Sequence, residues 1–326
     1  MAALLSTLAA PLARARASRT GRSRASSSRR VLGAPARVRC AAEDASSEPT
    51  PSAPSRREAL LAAASLLCSP LVSAPSSDAA SLSGASDGPV LVVGATGATG
   101  RRVVAQLRAR GVAVRAGARD PKKARSLGLE AAGAEIVQLD VLDPESIAAA
   151  MAGASAVVCA TGFTPSLNFK KDNPAKVDHV GTDNLVAAAT AEGASVKRFV
   201  LVTSLLTNAK AAGQANNDNY KFLNALGGVL DEKLAAELNL RASGLDYVIV
   251  RPGGLSNEPP ETVGELIVRG EDTTFGLESD PGREISRDTV AAVCVEALFD
   301  DKAAKRVVEI VASQDAPKIE PEKWFA

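Results

Sequence analysis

Histidine is nearly missing from this chain: His179 is the single one in 326 residues. A centre built from several imidazoles is thereby excluded, and at the start of a helical pattern His179 reads as a capping or packing residue. Cysteine is scarce as well. Cys40, Cys68, Cys159 and Cys294 show no CxxC pairing, so no metal site is expected. Cys159 ends an apolar run and Cys294 lies within TVAAVCVEAL, where both read as core thiols. Aromatic residues make up 3% of the chain, with one Trp and two Tyr, so its core has to be built from Val, Leu, Ile and Ala. A basic stripe interleaved with aromatics is absent, which disfavours nucleic acid as a partner. No internal repeat is visible.

The longest stretch without an acidic residue is the N-terminal one. Met1 to Cys40 carries nine Arg, several Ser and no Asp or Glu, the composition of an organellar transit peptide. The step from VRC to AAE places its cleavage near Cys40. The segment SRREALLAAASLLCSPLVSAP follows, with Arg56 and Arg57 ahead of an apolar run and small residues from Ser73 to Ala80. That is the pattern of a twin-arginine signal, and it points to a bipartite chloroplast presequence leading to the thylakoid surface or lumen. The alternative is one longer transit peptide or a membrane-surface tether, with the protein left in the stroma. Ser69 and Pro70 interrupt the run too early for a membrane span. The whole chain has 38 basic and 37 acidic residues, but without the nine Arg the balance is 29 to 37, a formal charge of −8. A mature protein of that charge has no general attraction for phosphate backbones. The expected organisation is 1–40 transit peptide, 41–88 second targeting segment or linker, 89–316 folded domain and 317–326 tail.

What the domain has in abundance is glycine at regular spacing. PVLVVGATGATGRRVV, Pro89 to Val104, is an apolar run broken by Gly94, Gly97 and Gly100 and continued at helical spacing by Val103, Val104 and Leu107. Leu91 to Val93 fit a parallel strand buried on both faces. A strand, a glycine turn and a helix follow one another. The helix start offers unpaired N–H groups and partial positive charge, and glycine lets a diphosphate approach the backbone. The predicted dinucleotide turn is Gly94, Ala95, Thr96, Gly97, Ala98, Thr99 and Gly100. Further apolar runs recur at 112–116, 135–139, 154–160, 198–202 and 245–250, with helical patterns at 122–132, 145–151, 178–192 and about 231–243. This alternation predicts an α/β fold, a doubly wound parallel sheet of Rossmann type, as a single domain with a small C-terminal substrate-side lobe after Leu255.

The nucleotide form is read from the end of the second strand. An acid there accepts the ribose 2′-OH of NAD, whereas Arg accommodates the 2′-phosphate of NADP. VAVRAGAR ends on Arg119, with Lys122 and Lys123 close behind, so NADP(H) is preferred. Asp120 keeps NAD(H) open.

GATGATG (94–100), AGARDPKKA (116–124), LDVLD (139–143), ATGF (160–163), DNLVAAA (183–189), FVLVTS (199–204) and VRPGGL (250–255) together resemble the atypical short-chain dehydrogenase/reductase family. The resemblance is strongest to its chloroplast NAD(P)-binding members, related to the dehydrogenase-like subunit of the inner-envelope import machinery. It implies adenine contacts near Asp140 and Val141, backbone contacts from Ala160, Thr161 and Gly162, and Pro252, Gly253 and Gly254 beside the nicotinamide. It also implies a catalytic Ser after the fifth strand and a Tyr and Lys four residues apart. Ser204 and Lys233 occupy two of these places, but Val229 stands where the Tyr belongs. Tyr220 can replace it only if its loop folds over the site; otherwise it is a half-buried loop residue. Lys233 holds the nicotinamide ribose or pairs with Glu237 on the surface. KFLNALGGVL, 221–230, reads as a pocket wall, with a plastid lipid surface as the alternative. ISRDTVAAV, 285–293, starts a helix in which Asp288 favours the dipole. Two functions follow. The first is an oxidoreductase passing hydride to a small apolar metabolite. The second is a non-catalytic NADP(H)-binding module that reports redox state to a protein or membrane partner.

Overall fold

The computed structural model describes residues 88–164, 173–225 and 227–326. The two targeting readings therefore fall outside the described residues, which all lie in the unit Pro75–Ala326.

The first half of the fold is strand and helix in strict alternation: β1 (Val90–Val93), α1 (Ala98–Ala109), β2 (Val114–Ala118), α2 (Pro121–Ser126), β3 (Glu135–Gln138), α3 (Pro144–Met151) and β4 (Ala156–Cys159). A π-helical turn, Ala175–Val180, leads into α4 (Gly181–Ala189), then β5 (Arg198–Val202), α5 (Asp218–Asn224), α6 (Val229–Ala242) and β6 (Tyr247–Pro252). The lobe contains β7 (Gly254–Ser256), α7 (Pro260–Val263), β8 (Glu265–Arg269) and β9 (Glu284–Ser286), before α8 (Arg287–Glu296) and β10 (Arg306–Ser313) return to the main sheet. Its order is β3-β2-β1-β4-β5-β6-β10-β9-β7, with β8 also paired to β10. The pairs from β3 through β10 along that path are parallel, while β8 and β9 run antiparallel to β10.

The unbroken apolar runs are explained by two cores. Val90 and Val92 of β1, Val200 of β5 and Val248 of β6 face one core, closed by Val103, Val104 and Leu107 of α1 and Val290 and Cys294 of α8. Their neighbours Leu91, Val93, Phe199 and Ile249 face the other, with Ile147, Leu185 and Leu240. Successive side chains point to opposite faces, so strands covered on both sides have no room for polar alternation.

Several boundaries differ from expectation. The second strand and β6 each sit two residues later than predicted, which leaves the inward faces unchanged because the side-chain period is two. α2 stops at Ser126 instead of reaching residue 132, because Gly128 adopts a φ of 77°. The helix expected from 178 starts earlier and in π geometry. The 317–326 tail returns to the domain: Phe325 is buried in the α1/α8 core and Trp324 packs beside it.

Candidate functional site

The glycine turn leaves β1 through Gly94, whose φ of 77° suits glycine. Gly97 N–H donates to the Gly94 carbonyl at 2.9 Å, and Ala95 N–H ties the turn to the Gly117 carbonyl at 3.2 Å. A Cβ on Gly100 would lie 2.3 Å from the Gly94 carbonyl oxygen, so the helix can come this close to the strand only with glycine there. α1 begins without a capping side chain and without an acid in its first turn. Asp120, Asp143 and Ser286 cap the starts of α2, α3 and α8. The first N–H groups of α1 are thus left for an external anion.

Beside this turn is a cavity of about 220 Å³. Of the predicted cofactor residues, Gly94, Thr96, Gly97, Arg119, Asp140, Val141, Ala160, Thr161 and Gly162 line it. The remainder stand elsewhere. Ala95, Thr99 and Gly100 are buried in the turn and first helical turn, Ala98 opens α1, and Lys123 replaces Lys122 on the lining. Asp120 turns its carboxylate back to the N–H groups of Lys122 and Lys123, at 2.9 and 3.2 Å. Pro252 ends β6, and Gly253 and Gly254 lie away from the cavity against the lobe; Gly254 N–H donates to the Arg283 carbonyl at 2.7 Å.

Ser204 follows β5, half-buried, and its hydroxyl makes no hydrogen bond among the described residues. Lys233 does not pair with Glu237. Its Nζ donates to Asp178 Oδ1 at 2.7 Å, and Asp178 Oδ2 accepts the Phe163 N–H at 3.1 Å. Asp178 is fully buried at its side chain, so one carboxylate from the π-helical turn binds the cavity-floor loop to α6. Lys233 Nζ lies 3.8 Å from where a Gly162 Cβ would be. Tyr220 stands on α5 rather than on a loop, packed with Leu205, Leu206, Leu230 and Val311. Its hydroxyl donates to Asp231 Oδ1 at 2.6 Å, and Lys210 Nζ holds the other oxygen at 2.7 Å. Burial pushes the Tyr220 hydroxyl up from its ordinary pKa, and the Asp231 carboxylate adds to that. The structure therefore brings Lys233 next to Gly162 of the cavity lining and commits Tyr220 to Asp231. Within KFLNALGGVL, Leu230 turns inward, while Phe222 is 74% exposed and lines no part of the cavity.

Three features escaped the sequence reading. Asp178 is one. His179, its neighbour, is held between Glu232 (2.8 Å) and Asp183 (3.2 Å). The largest is a buried charge network around Arg251 of β6, which is fully inaccessible, as is Glu237 of α6. Arg251 donates to Glu237 at 2.6 and 3.1 Å, to Asp272 at 2.8 Å, to Glu271 at 3.2 Å and to Glu309 at 3.4 Å. Glu237 Oε1 also accepts the hydroxyls of Thr203 (2.7 Å) and Thr207 (3.2 Å), which flank Ser204. Glu309 takes three backbone N–H groups from residues 272–274. Burial would lower the Arg251 pKa, but its carboxylate partners outweigh it and hold the group above the usual value.

The comparisons agree with this geometry. The chain is 46% identical over 239 residues to an uncharacterized chloroplastic protein of Arabidopsis thaliana, At2g34460, covering 73% of this chain and 81% of that one. It is 36% identical over 255 residues to the chloroplastic protein TIC 62 of Pisum sativum, covering 73% of this chain but 45% of the pea protein. A solved structure from Bacillus halodurans, described as an NAD-dependent epimerase/dehydratase, superimposes with a TM-score of 0.58 at 29% identity, over 72% of this chain and 97% of that one. With residues 94–301 matching the NAD(P)H-binding family, a glycine turn open to a diphosphate and chloroplast relatives of this similarity, the chain belongs to that family of Rossmann-fold proteins.

Proposed function

We propose that the protein is an NADP(H)-dependent chloroplast reductase. The observation that carries the cofactor preference is the division of labour at the end of β2: Arg119 and Lys123 line the cavity, while Asp120 is occupied in capping α2. A carboxylate held by two backbone N–H groups is poorly placed to accept a ribose hydroxyl, and two cations suit a 2′-phosphate.

The missing tyrosine supports reduction over alcohol oxidation. Removing a proton from an alcohol needs a base beside Ser204, and Val229 has none. Reducing an electron-poor acceptor, such as a quinone or an enone, needs a hydride, a donor to the oxygen that gains charge, and a proton from water. NADPH, when bound, supplies the hydride. Ser204 offers a free hydroxyl to the acceptor oxygen, and Thr203 and Thr207, tied to Glu237, fix the backbone on both sides of it. Asp178 holds the Ala160–Phe163 loop through the Phe163 N–H and, through its other oxygen, fixes the Lys233 ammonium beside that loop. The Arg56–Arg57 segment addresses the protein to the thylakoid, which fractionation after import into isolated chloroplasts would test.

The main test follows NADPH and NADH consumption by the purified protein against a series of quinones and enones. Ser204→Ala is expected to lower turnover about tenfold or more with binding of NADPH retained. Arg119→Ala is expected to weaken NADPH about tenfold to a hundredfold and leave NADH unchanged. No turnover with any acceptor would overturn the reductase reading, and equal loss for both cofactors would overturn the NADP preference.

A further inference from the structure

The starts of α1 and α8 meet at the carboxyl edge of the sheet, and Arg102 joins them. Its Nη1 donates to the Ala98 carbonyl and its Nε to Asp288 Oδ2, both at 2.9 Å. Gln106 Nε2 holds the Asp288 carbonyl at 2.9 Å. Arg287, the first residue of α8, donates from Nη1 to the Leu255 carbonyl and to Asn257 Oδ1, each at 3.0 Å and neither a charged acceptor. Arg101, one residue after the last glycine of the turn, is exposed and makes no side-chain hydrogen bond or ion pair among the described residues. Among the described residues Asp288 is thus the single carboxylate bonded to any of these three guanidinium groups, which leaves an excess of two positive charges. The three are close enough to repel: burial, then Arg102 and Arg101, push the Arg287 pKa down from its ordinary value.

None of these arginines lines the cavity at Arg119. They stand on the α8 side of α1, whereas the cavity opens towards β2 and β3. Like charges packed at one corner cost Coulomb energy that an anion would relieve, and the planar fork of a guanidinium fits a phosphate oxygen pair. We propose that Arg101 and Arg287 close over the diphosphate of a dinucleotide seated on the glycine turn, from the flank opposite Arg119. Arg102 is the brace of this clamp, tied at both ends, and Asp288 limits its charge. The inference rests on cofactor binding by the family and is independent of the reaction catalysed.

Calorimetric titration of the full-length protein with NADPH, ADP-ribose and 2′-AMP tests it, since 2′-AMP has the adenosine end and no diphosphate. Arg287→Ala and Arg101→Ala are each expected to weaken NADPH and ADP-ribose about tenfold, with 2′-AMP unchanged. Arg101→Ala removes an exposed side chain without a partner, so it reports on binding even if Arg287→Ala disturbs the lobe. Unchanged affinity of the Arg101→Ala protein for ADP-ribose, or an equal loss for 2′-AMP, would overturn the clamp. A wild-type protein that binds none of the three would instead sink the cofactor reading on which the clamp rests.

Discussion

Asp178 does two jobs with its two oxygens. One oxygen holds Lys233, the cation beside Gly162 of the cavity lining, and the other holds the Phe163 N–H of the same loop. In Asp178→Asn an amide keeps the oxygen but presents an NH₂ to one of two donors and leaves Lys233 charged and mostly buried. Breaking a buried ion pair on one side costs about 3 kcal/mol, which thermal or urea denaturation would register. Hydrogen exchange at the Phe163 amide should accelerate beyond that of the β-strand amides; equal protection would mean that the pair does not fasten the loop. Tyr220 teaches the opposite lesson. A tyrosine shortly before the Lys233 helix invites a catalytic role, yet its hydroxyl is spent on Asp231, where Lys210 is the second partner. Burial would raise the Asp231 carboxyl, but those bonds outweigh it and hold the group below the usual carboxylate range.

Among the elements, the β1–turn–α1 unit was the part most open to reading in advance, and the reason is local. Gly97 and Gly100 are required by close approach to the backbone of Gly94, and Gly94 by its own φ of 77°, all within one seven-residue turn, so spacing alone exposes them. Gly100→Ala checks this directly: its Cβ would meet the backbone of Gly94 at 2.3 and 2.9 Å, where nothing flexible can yield. Overpacking of this kind costs about 1–3 kcal/mol. Loss of NADPH binding in fluorescence titration is expected with the circular dichroism spectrum retained; full affinity would show that the turn tolerates a shift. The two-sided strands were legible for a similar reason, since continuous apolar runs have one simple explanation in alternating α/β sequence. Glu237 was not. It stands four residues after Lys233, the spacing of an ordinary surface pair, and nothing in the helix pattern shows that it faces inward to Arg251. Arg251 in turn sits in an apolar strand, and its partners lie up to 58 residues away, beyond any periodicity.

That network ties together the elements of the second half of the domain. Through Arg251 it joins β6 to α6, β10 and the 271–274 segment, and through Thr203 and Thr207 to the end of β5. Four carboxylates, Glu237, Glu271, Asp272 and Glu309, share Arg251, while Arg241 bonds Glu271 from the other side. Arg251→Met fills similar space but removes the common cation, and the expected loss is about 3–5 kcal/mol, seen as a lower urea midpoint at neutral pH. The pH dependence identifies the cause. Burial pushes the Glu309 carboxyl above its ordinary pKa even with Arg251 and three N–H groups opposing that shift, so removing Arg251 raises it further. A group raised on folding adds stability that is complete below its unfolded pKa and disappears as pH climbs through the folded value. The deficit of Arg251→Met relative to wild type should therefore shrink on acidification from neutral pH towards the ordinary carboxyl range, because the buried Glu309 carboxylate without its cation can then take up a proton. A deficit that stays constant over that range would show that the variant suffers from lost packing, and that charge is not what binds these elements together.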